Sequence, residues 1–164
     1  MTHDQTATSL SRPYIRPGNV PADIDLCAEI WVRALAARDG SVDGPGMTSR
    51  VQASFANPIV RFAVATAPRL GFSLVEAVPS RPTAALLRYL AVDPDGAGRG
   101  VGSTLLDDAI SHSRLQGFAT LLLEVRDINA RAIELYTRAG FVPAGAAVQH
   151  PLAGYPMQGY ELAV

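Results

Sequence analysis

Lysine is absent from this 164-residue chain, and arginine supplies all 14 of its Lys and Arg side chains. Cysteine is nearly absent as well. Cys27 stands alone, which excludes an internal disulfide and a metal site built from several cysteines. The three histidines, His3, His112 and His150, lie far apart in sequence. We therefore predict neither a disulfide framework nor a resident metal such as zinc.

An excess of one charge and long apolar runs are also missing. The formal net charge is −1 and no segment carries a basic cluster, so we expect no binding to DNA or RNA. No segment approaches the roughly 20 apolar residues of a membrane span, and residues 1–12 contain no apolar core like that of a signal peptide. We predict a cytoplasmic protein without membrane contact, with a disordered N-terminus at 1–12 and a single domain at 13–164.

The most informative segment follows an apolar strand that ends in Val92. Gly96, Gly98, Gly100 and Gly102 come next, and the periodicity predicts a helix that begins at the last of them. Bare backbone N–H groups and the positive end of a helix dipole then converge on one spot, and this arrangement binds anions. We expect a pyrophosphate group there.

The spacing of these glycines separates three known phosphate-binding loops. The P-loop needs a lysine after its last glycine, and this chain has none. The Rossmann pattern G-x-G-x-x-G also fails, because its sixth position falls on Val101 or on Ser103. What remains is x-x-Gly100-x-Gly102 after the strand.

That remaining pattern resembles the coenzyme A pyrophosphate loop of the GCN5-related N-acetyltransferase superfamily, whose pattern is Gln/Arg-x-x-Gly-x-Gly/Ala. Ala97 stands at the first position of the pattern, so the side-chain contact to phosphate is missing there, and Arg99 is a candidate to replace it. The backbone contribution to phosphate binding is unaffected by this difference.

A second block, Leu123-Glu124-Val125-Arg126 followed by Asn129 and Tyr136, is similar to the ribosomal-protein N-terminal acetyltransferase branch of the superfamily. The resemblance implies that Glu124 is the general base, that Tyr136 is the general acid and that Asn129 contacts the coenzyme. Two alternatives stay open: a salt bridge from Glu124 to Arg126 or Arg88, and a purely structural Tyr136 whose hydroxyl is hydrogen-bonded. The full set that the resemblance implies for coenzyme binding is Leu90, Ala91, Val92, Ala97, Gly98, Arg99, Gly100, Val101, Gly102, Ser103 and Asn129.

Hydrophobic periodicity predicts the order of the elements. We expect strands at 14–16, 59–67, 71–78, 84–92, 119–126, 141–148 and 158–164, and helices at 21–38, 48–55, from 102 to Gly117, and at 130–139. Cys27 and Trp31 are predicted core residues, and the strand at 119–126 is predicted to be covered on both faces. The fold class is thus α/β: the superfamily's single domain, with a mixed sheet of about six to seven strands and helices on both faces.

The resemblance implies an enzyme that transfers an acetyl group from acetyl-CoA to a primary amine by direct attack in a ternary complex. Two possibilities for the acceptor stay open, a small-molecule amine and a protein or peptide N-terminus. A third possibility is a non-catalytic coenzyme A sensor without an acceptor, and Ala97 in place of Gln or Arg would be compatible with it. The acceptor would be recognised by residues 20–57 and 143–160, with Tyr155 and Met157 at the rim. Dimers are frequent in this superfamily, so a homodimer is a further expectation.

Overall fold

The computed structural model describes residues 12–68, 70–96, 100–150 and 155–164. Most of the predicted disordered segment and the loop residues 97–99 therefore lie outside the described residues. In chain order the elements are β1 (Tyr14–Pro17), α1 (Ile24–Asp39), α2 (Gly44–Ser54), β2 (Ile59–Ala67), β3 (Gly71–Ala77), β4 (Ala84–Val92), a 3₁₀ turn (Pro94–Gly96), α3 (Val101–Leu115), β5 (Thr120–Arg126), α4 (Ala130–Arg138), β6 (Val142–Pro143), β7 (Val148–Gln149) and β8 (Pro156–Ala163).

The strands form one mixed sheet in the order β1-β2-β3-β4-β5-β8-β6, and β7 also pairs with β8. Only β4 and β5 run parallel, and the other pairs in the described chain are antiparallel. The predicted fold class is confirmed, with eight described strands in place of six or seven. Among the described residues, no helix is both long enough and apolar enough to cross a membrane.

Apolar helix faces cover both faces of the sheet. On one face, Cys27 and Ile30 of α1 pack against Phe72 and its neighbours on β2, β3 and β4. On the other face, Leu106 of α3 and Tyr136 of α4 share a core with the buried residues of β5. Burying apolar surface in this way contributes about 25 cal/mol per Å² and is the main force that holds the layers together.

Three predictions differ most from the observed elements, and other element ends differ by one or two residues. The first long helix begins at Ile24 instead of 21, because Asp23 holds the preceding turn by accepting the N–H of Asn19 at 2.7 Å. Helix α2 begins at Gly44 and not at 48, since the Asp43 carboxylate accepts the Gly46 N–H and Pro suits a first helical turn. The predicted strand 141–148 is split into β6 and β7, because the backbone turns left-handed at Gly145 with φ 72°.

Strand β5 is buried on only one face, which corrects the prediction of cover on both. Leu121, Leu123 and Val125 are buried, whereas the alternate residues are partly exposed and Glu124 is exposed. The open face lies where β4 moves away from β5, as described below for the site.

Asp23→Asn is expected to lower the free energy of unfolding at pH 7 by about 1–3 kcal/mol, because Arg16 and the Asn19 N–H lose a buried charged acceptor. The hydrogen bond from Arg16 holds the pKa of Asp23 below its ordinary value of 3.8. A carboxyl whose pKa is lower in the folded state stabilises the protein above its unfolded pKa, and this contribution is lost as the pH falls through the folded value.

The measurement for Asp23 is chemical denaturation of both proteins across pH. The difference in stability should shrink below about pH 4, and a constant difference from about pH 2 to 7 would contradict the assignment. Asp107→Asn is the matched control, since Asp107 is exposed on α3 and has no ion pair within the described chain. Its effect should stay within about 0.5 kcal/mol.

Candidate active site

The sheet opens between its two parallel strands. Strands β4 and β5 pair only from Ala84 with Thr120 to Leu87 with Leu123. Beyond that point β4 continues beside β3 as far as Val92, and β5 continues beside β8. Each strand therefore has one edge without a strand partner in the described structure, because the two strands diverge after Leu87 and Leu123.

A bulge in β4 lies at the narrow end of this opening. Leu74 of β3 is opposite Tyr89, whereas the next residue, Val75, is opposite Leu87, so Arg88 is an extra residue on β4. The bulge reverses the alternation of side chains along the strand: Leu87 faces the α3 and α4 side, and Tyr89 faces α1. Bulges commonly redirect side chains beside active sites.

A cavity of about 970 Å³ occupies the opening and reaches both faces of the sheet. Its size is at the upper end of the range for ligand sites, about 300–1,000 Å³. Every predicted site residue that the structure describes lines it: Leu90, Ala91, Val92, Gly100, Val101, Gly102, Ser103, Glu124, Asn129 and Tyr136. The predicted rim residues Tyr155 and Met157 line it as well. Ala97, Gly98 and Arg99 lie outside the described residues, so their predicted contacts stay predictions.

The N-terminus of α3 opens into the cavity. Gly100 is the N-cap residue, with φ 77°, and the first backbone N–H bonded within the helix is that of Thr104, 3.0 Å from the Gly100 carbonyl oxygen. The N–H groups of Val101, Gly102 and Ser103 precede the first residue that can find an intrahelical acceptor. These N–H groups and the helix dipole are compatible with the predicted anion site, which stays a prediction.

Glu124 and Tyr136 lie on opposite faces of the sheet. Side chains alternate along β5, and Leu123 and Val125 on either side of Glu124 are buried in the core that contains Tyr136. Glu124 therefore points toward the face that α1 covers. Both residues line the same cavity because the opening passes through the sheet.

The salt-bridge alternative for Glu124 is not found in the structure. Arg88 bonds to the buried carboxylate of Glu76, and Arg126 bonds to Asp39 at 2.9 Å. Glu124 itself is exposed to the cavity and has no ion pair with any described residue. An accessible carboxylate in this position can accept a proton from a bound amine.

Tyr136 is buried, with 8% of its surface exposed, and its ring packs edge-on against Phe141 at 5.9 Å. Burial raises the pKa of its phenol to about 12. Its hydroxyl makes no hydrogen bond to any part of the chain that is described. The phenol is therefore protonated at neutral pH and able to donate to a ligand in the cavity.

Asn129 serves the local fold as well as the site. Its side-chain oxygen accepts the N–H of Ala132 at 3.3 Å and so caps α4. The amide NH₂ has no partner in the described regions, and Asn129 lines the cavity. The predicted contact to a coenzyme is compatible with this capping role, because the two use different atoms.

Several cavity residues were missed in the sequence. Trp31, predicted as a core residue, is only partly buried and lines the cavity. Ala34 and Arg38 lie on the same face of α1 and line the cavity as well. Arg50 of α2, Arg88 and Arg131 of α4 line it too. The spacing of Trp31, Ala34 and Arg38 at i, i+3 and i+7 could have predicted a shared helix face. Nothing in the local sequence marks an isolated arginine as a site residue.

A cluster of charges lies beside the cavity at the C-terminal end of α1. Arg126 spans from Asp39, at the end of α1, to the ring of Tyr155, whose centroid is 4.0 Å from the guanidinium carbon. Arg38 first, and then Arg126, hold the pKa of Asp39 below its ordinary range. No cluster of His, Cys, Asp or Glu able to hold a metal ion is present in the described ranges.

The comparisons with known proteins agree with this geometry. Residues 54–141 match the model of the Acetyltransferase (GNAT) family. The [Ribosomal protein bS18]-alanine N-acetyltransferase of Salmonella typhimurium is 43% identical over 81 residues, which cover 49% of this chain and 52% of that protein. The mycothiol acetyltransferase of Acidimicrobium ferrooxidans is 31% identical over 144 residues, 85% of this chain and 46% of that protein.

The fold is likewise shared with solved structures. The protein yncA from Salmonella typhimurium, solved with its cofactor acetyl-CoA, has a TM-score of 0.69 at 20% identity and covers 93% of this chain and 94% of that chain. The mixed sheet, which opens between its two parallel strands, thus has the same fold as that structure. The chain belongs to the Acetyltransferase (GNAT) family. It spans about half the length of the two curated relatives it matches here.

Proposed function

We propose that this chain is an acetyl-CoA-dependent N-acetyltransferase that joins donor and amine in a ternary complex, with direct attack of the amine on the thioester. The placement of Glu124 and Tyr136 on opposite sides of one opening carries the proposal. A base is needed where the amine enters and an acid where the thiol leaves, and this arrangement supplies both. The predicted cytoplasmic location and the single domain at 13–164 remain predictions.

The donor is bound on the α3 and α4 side. The N–H groups of Val101, Gly102 and Ser103 hold the pyrophosphate, and the free edge of β4 at Leu90 and Val92 holds the pantetheine arm as an added strand. Family membership and the acetyl-CoA bound to yncA support this assignment. A backbone N–H at the opening polarises the thioester carbonyl.

The acceptor amine must be neutral to attack. At pH 7 this costs about 4–5 kcal/mol for a lysine-like amine and about 1–1.5 kcal/mol for an α-amine. Glu124 accepts the proton, directly or through one water, as the C–N bond forms. The C–S bond breaks and Tyr136 gives its proton to the departing sulfur.

The acceptor is proposed to be a small-molecule amine, and a mycothiol acetyltransferase among the relatives supports it. A protein or peptide N-terminus is the second candidate, supported by the 43% identity to the bS18-alanine enzyme. The sensor alternative is disfavoured, because a pure binder needs neither an unpaired carboxylate nor an unbonded phenol in its cavity. A homodimer stays a prediction.

The proposed function is tested by thiol release from acetyl-CoA with a panel of amino acids, dipeptides, polyamines, aminoglycosides and bS18-like peptides, beside calorimetry of coenzyme binding. We expect micromolar binding and turnover with one acceptor class. Absence of coenzyme binding would overturn the proposal. Binding without turnover for any acceptor would favour the sensor.

Glu124→Gln is expected to lower kcat/KM at pH 7 by about 10²-fold, with a loss that shrinks as the pH rises. The reason is that solvent removes the amine proton at high pH, so the base becomes less necessary. The measurement is the pH profile of kcat/KM for both proteins with the best acceptor. Glu29→Gln, exposed on α1 and away from the cavity, should match the wild type. A loss that is the same at every pH would make Glu124 a positioning group.

A further inference from the structure

On the α1 side of the cavity, where we propose that the acceptor binds, the described residues include one arginine and one carboxylate without an ion-pair partner. Four arginines line it there: Arg38, Arg50, Arg88 and Arg126. Asp39 pairs with Arg38 and Arg126, and Glu76 pairs with Arg88. Arg50 has no ion-pair partner among the residues described, and Glu124 has none either.

Arg50 is placed toward the cavity by its helix. Met47, Arg50 and Ser54 lie on one face of α2, because they are three and four residues apart. The Ser54 hydroxyl is 3.1 Å from the hydroxyl of Tyr89, next to the bulge of β4. Met47 and Arg50 line the cavity beside Tyr89, so this face of α2 forms its wall.

Arg88 extends the positive surface toward Glu124. Arg88 and Glu124 are the first residues beyond the last β4–β5 pair, so they flank the narrow end of the opening. The Glu76 carboxylate also accepts from Asn57 at 3.0 Å, and 40% of the Arg88 side chain remains exposed. The guanidinium is thus held in place while part of it stays open to a ligand.

We propose that the acceptor is an amino acid or amino-acid-like compound that carries a carboxylate beside its amine, with Arg50 as the counterion and Arg88 as a second donor. This inference rests on the proposed function. Glu124 receives the amine and Arg50 receives the carboxylate, so the two unpaired charges complement a zwitterion. Guanidinium groups bind carboxylates in a bidentate fork, which also orients the amine. Polyamines and other cationic acceptors meet repulsion instead.

The experiment compares each of several amino acids with its carboxamide, in wild type, Arg50→Gln, Arg50→Lys and the control Arg114→Gln. Arg114 is exposed on α3 and lies outside the cavity. The readout is the ratio of kcat/KM for the carboxylate to that for the carboxamide. Taking the ratio of ratios between variants cancels the difference in amine pKa within each pair.

We expect the wild type to prefer the carboxylate and Arg50→Gln to lower that preference by about 10- to 100-fold, mainly through KM. Arg50→Lys should restore part of it and Arg114→Gln should leave it unchanged. Preference for carboxamides or cationic amines, an unchanged ratio in Arg50→Gln, or turnover confined to bS18-like peptides would overturn the carboxylate subsite. Failure of the proposed function itself would be visible separately, as the absence of acetyl-CoA binding in calorimetry.

Discussion

Tyr136→Phe is expected to lower kcat by about 10²-fold or more, because it removes the hydroxyl that we propose as the acid. The Kd for acetyl-CoA should stay within about twofold of the wild-type value. The phenylalanine keeps the edge-on contact with Phe141. The hydroxyl has no partner within the described part of the chain, so no structural hydrogen bond is lost. The melting temperature should therefore stay close to that of the wild type.

The pKa of Tyr136, raised to about 12 by burial, adds a second expectation. The phenol stays protonated across an ordinary assay range, so wild-type kcat should show no loss from its ionisation below about pH 11. The measurements are steady-state kinetics, calorimetry and thermal unfolding. Tyr160→Phe is the matched control, since Tyr160 is buried on β8 outside the cavity. A Tyr136→Phe protein that is fully active, or one that fails to fold, would contradict the acid role.

Gly100→Val is expected to lower the affinity for acetyl-CoA at least about 10- to 100-fold while most of the fold survives. Gly100 caps α3 with φ 77°, a left-handed backbone that a β-branched residue adopts only at a cost of about 1–2 kcal/mol or more. A Cβ at this position would meet no atom of the described residues within 4 Å. The effect thus comes from the backbone, which moves the N–H groups of Val101 and Gly102 away from the anion.

Gly117→Val separates this effect from general strain. Gly117 follows the other end of α3 and has φ 86°, and a Cβ there would also meet nothing within 4 Å in the part of the chain that is described. Both variants should lose similar stability in thermal unfolding, whereas only Gly100→Val should lose coenzyme binding in calorimetry. Gly100→Asn should bind with intermediate affinity, because asparagine tolerates the left-handed region. Equal binding by Gly100→Val and Gly117→Val would refute the loop assignment.

Much of the fold could be predicted because its signals are local. The strands at 59–67 and 84–92 are found with the predicted bounds, because long apolar runs between turn residues leave little ambiguity. The ends of helices were predicted less well. The start of α2 was not predicted, because the Gly44-Pro45-Gly46 sequence would break the interior of a helix. In the first turn of a helix the same residues are tolerated, and here Asp43 caps that turn.

The sequence predicted the residues of the half of the cavity that we assign to the coenzyme, and it did not predict many residues of the half that we propose for the acceptor. The spacing of Gly100 and Gly102 predicts a phosphate site, because backbone N–H groups would make the contacts to phosphate there. Arg50 and Arg88 carry no such pattern. Their importance depends on which acids neutralise the neighbouring arginines, and Glu76 and Asp39 reach those arginines only in the folded chain.

The sequence by itself predicted the order of strands and helices and an anion site at the start of α3, and its resemblance to the family indicated Glu124 and Tyr136 as candidate base and acid. The element order and the anion site were predicted from residues close together in the chain, where backbone geometry and periodicity decide the outcome, whereas the roles of Glu124 and Tyr136 came from the resemblance alone. Only the tertiary structure decided that β4 separates from β5 after Leu87, which sets Glu124 and Tyr136 on opposite sides of one cavity. It also decided which charges remain unpaired, because ion pairs such as Arg126 with Asp39 join residues far apart in sequence.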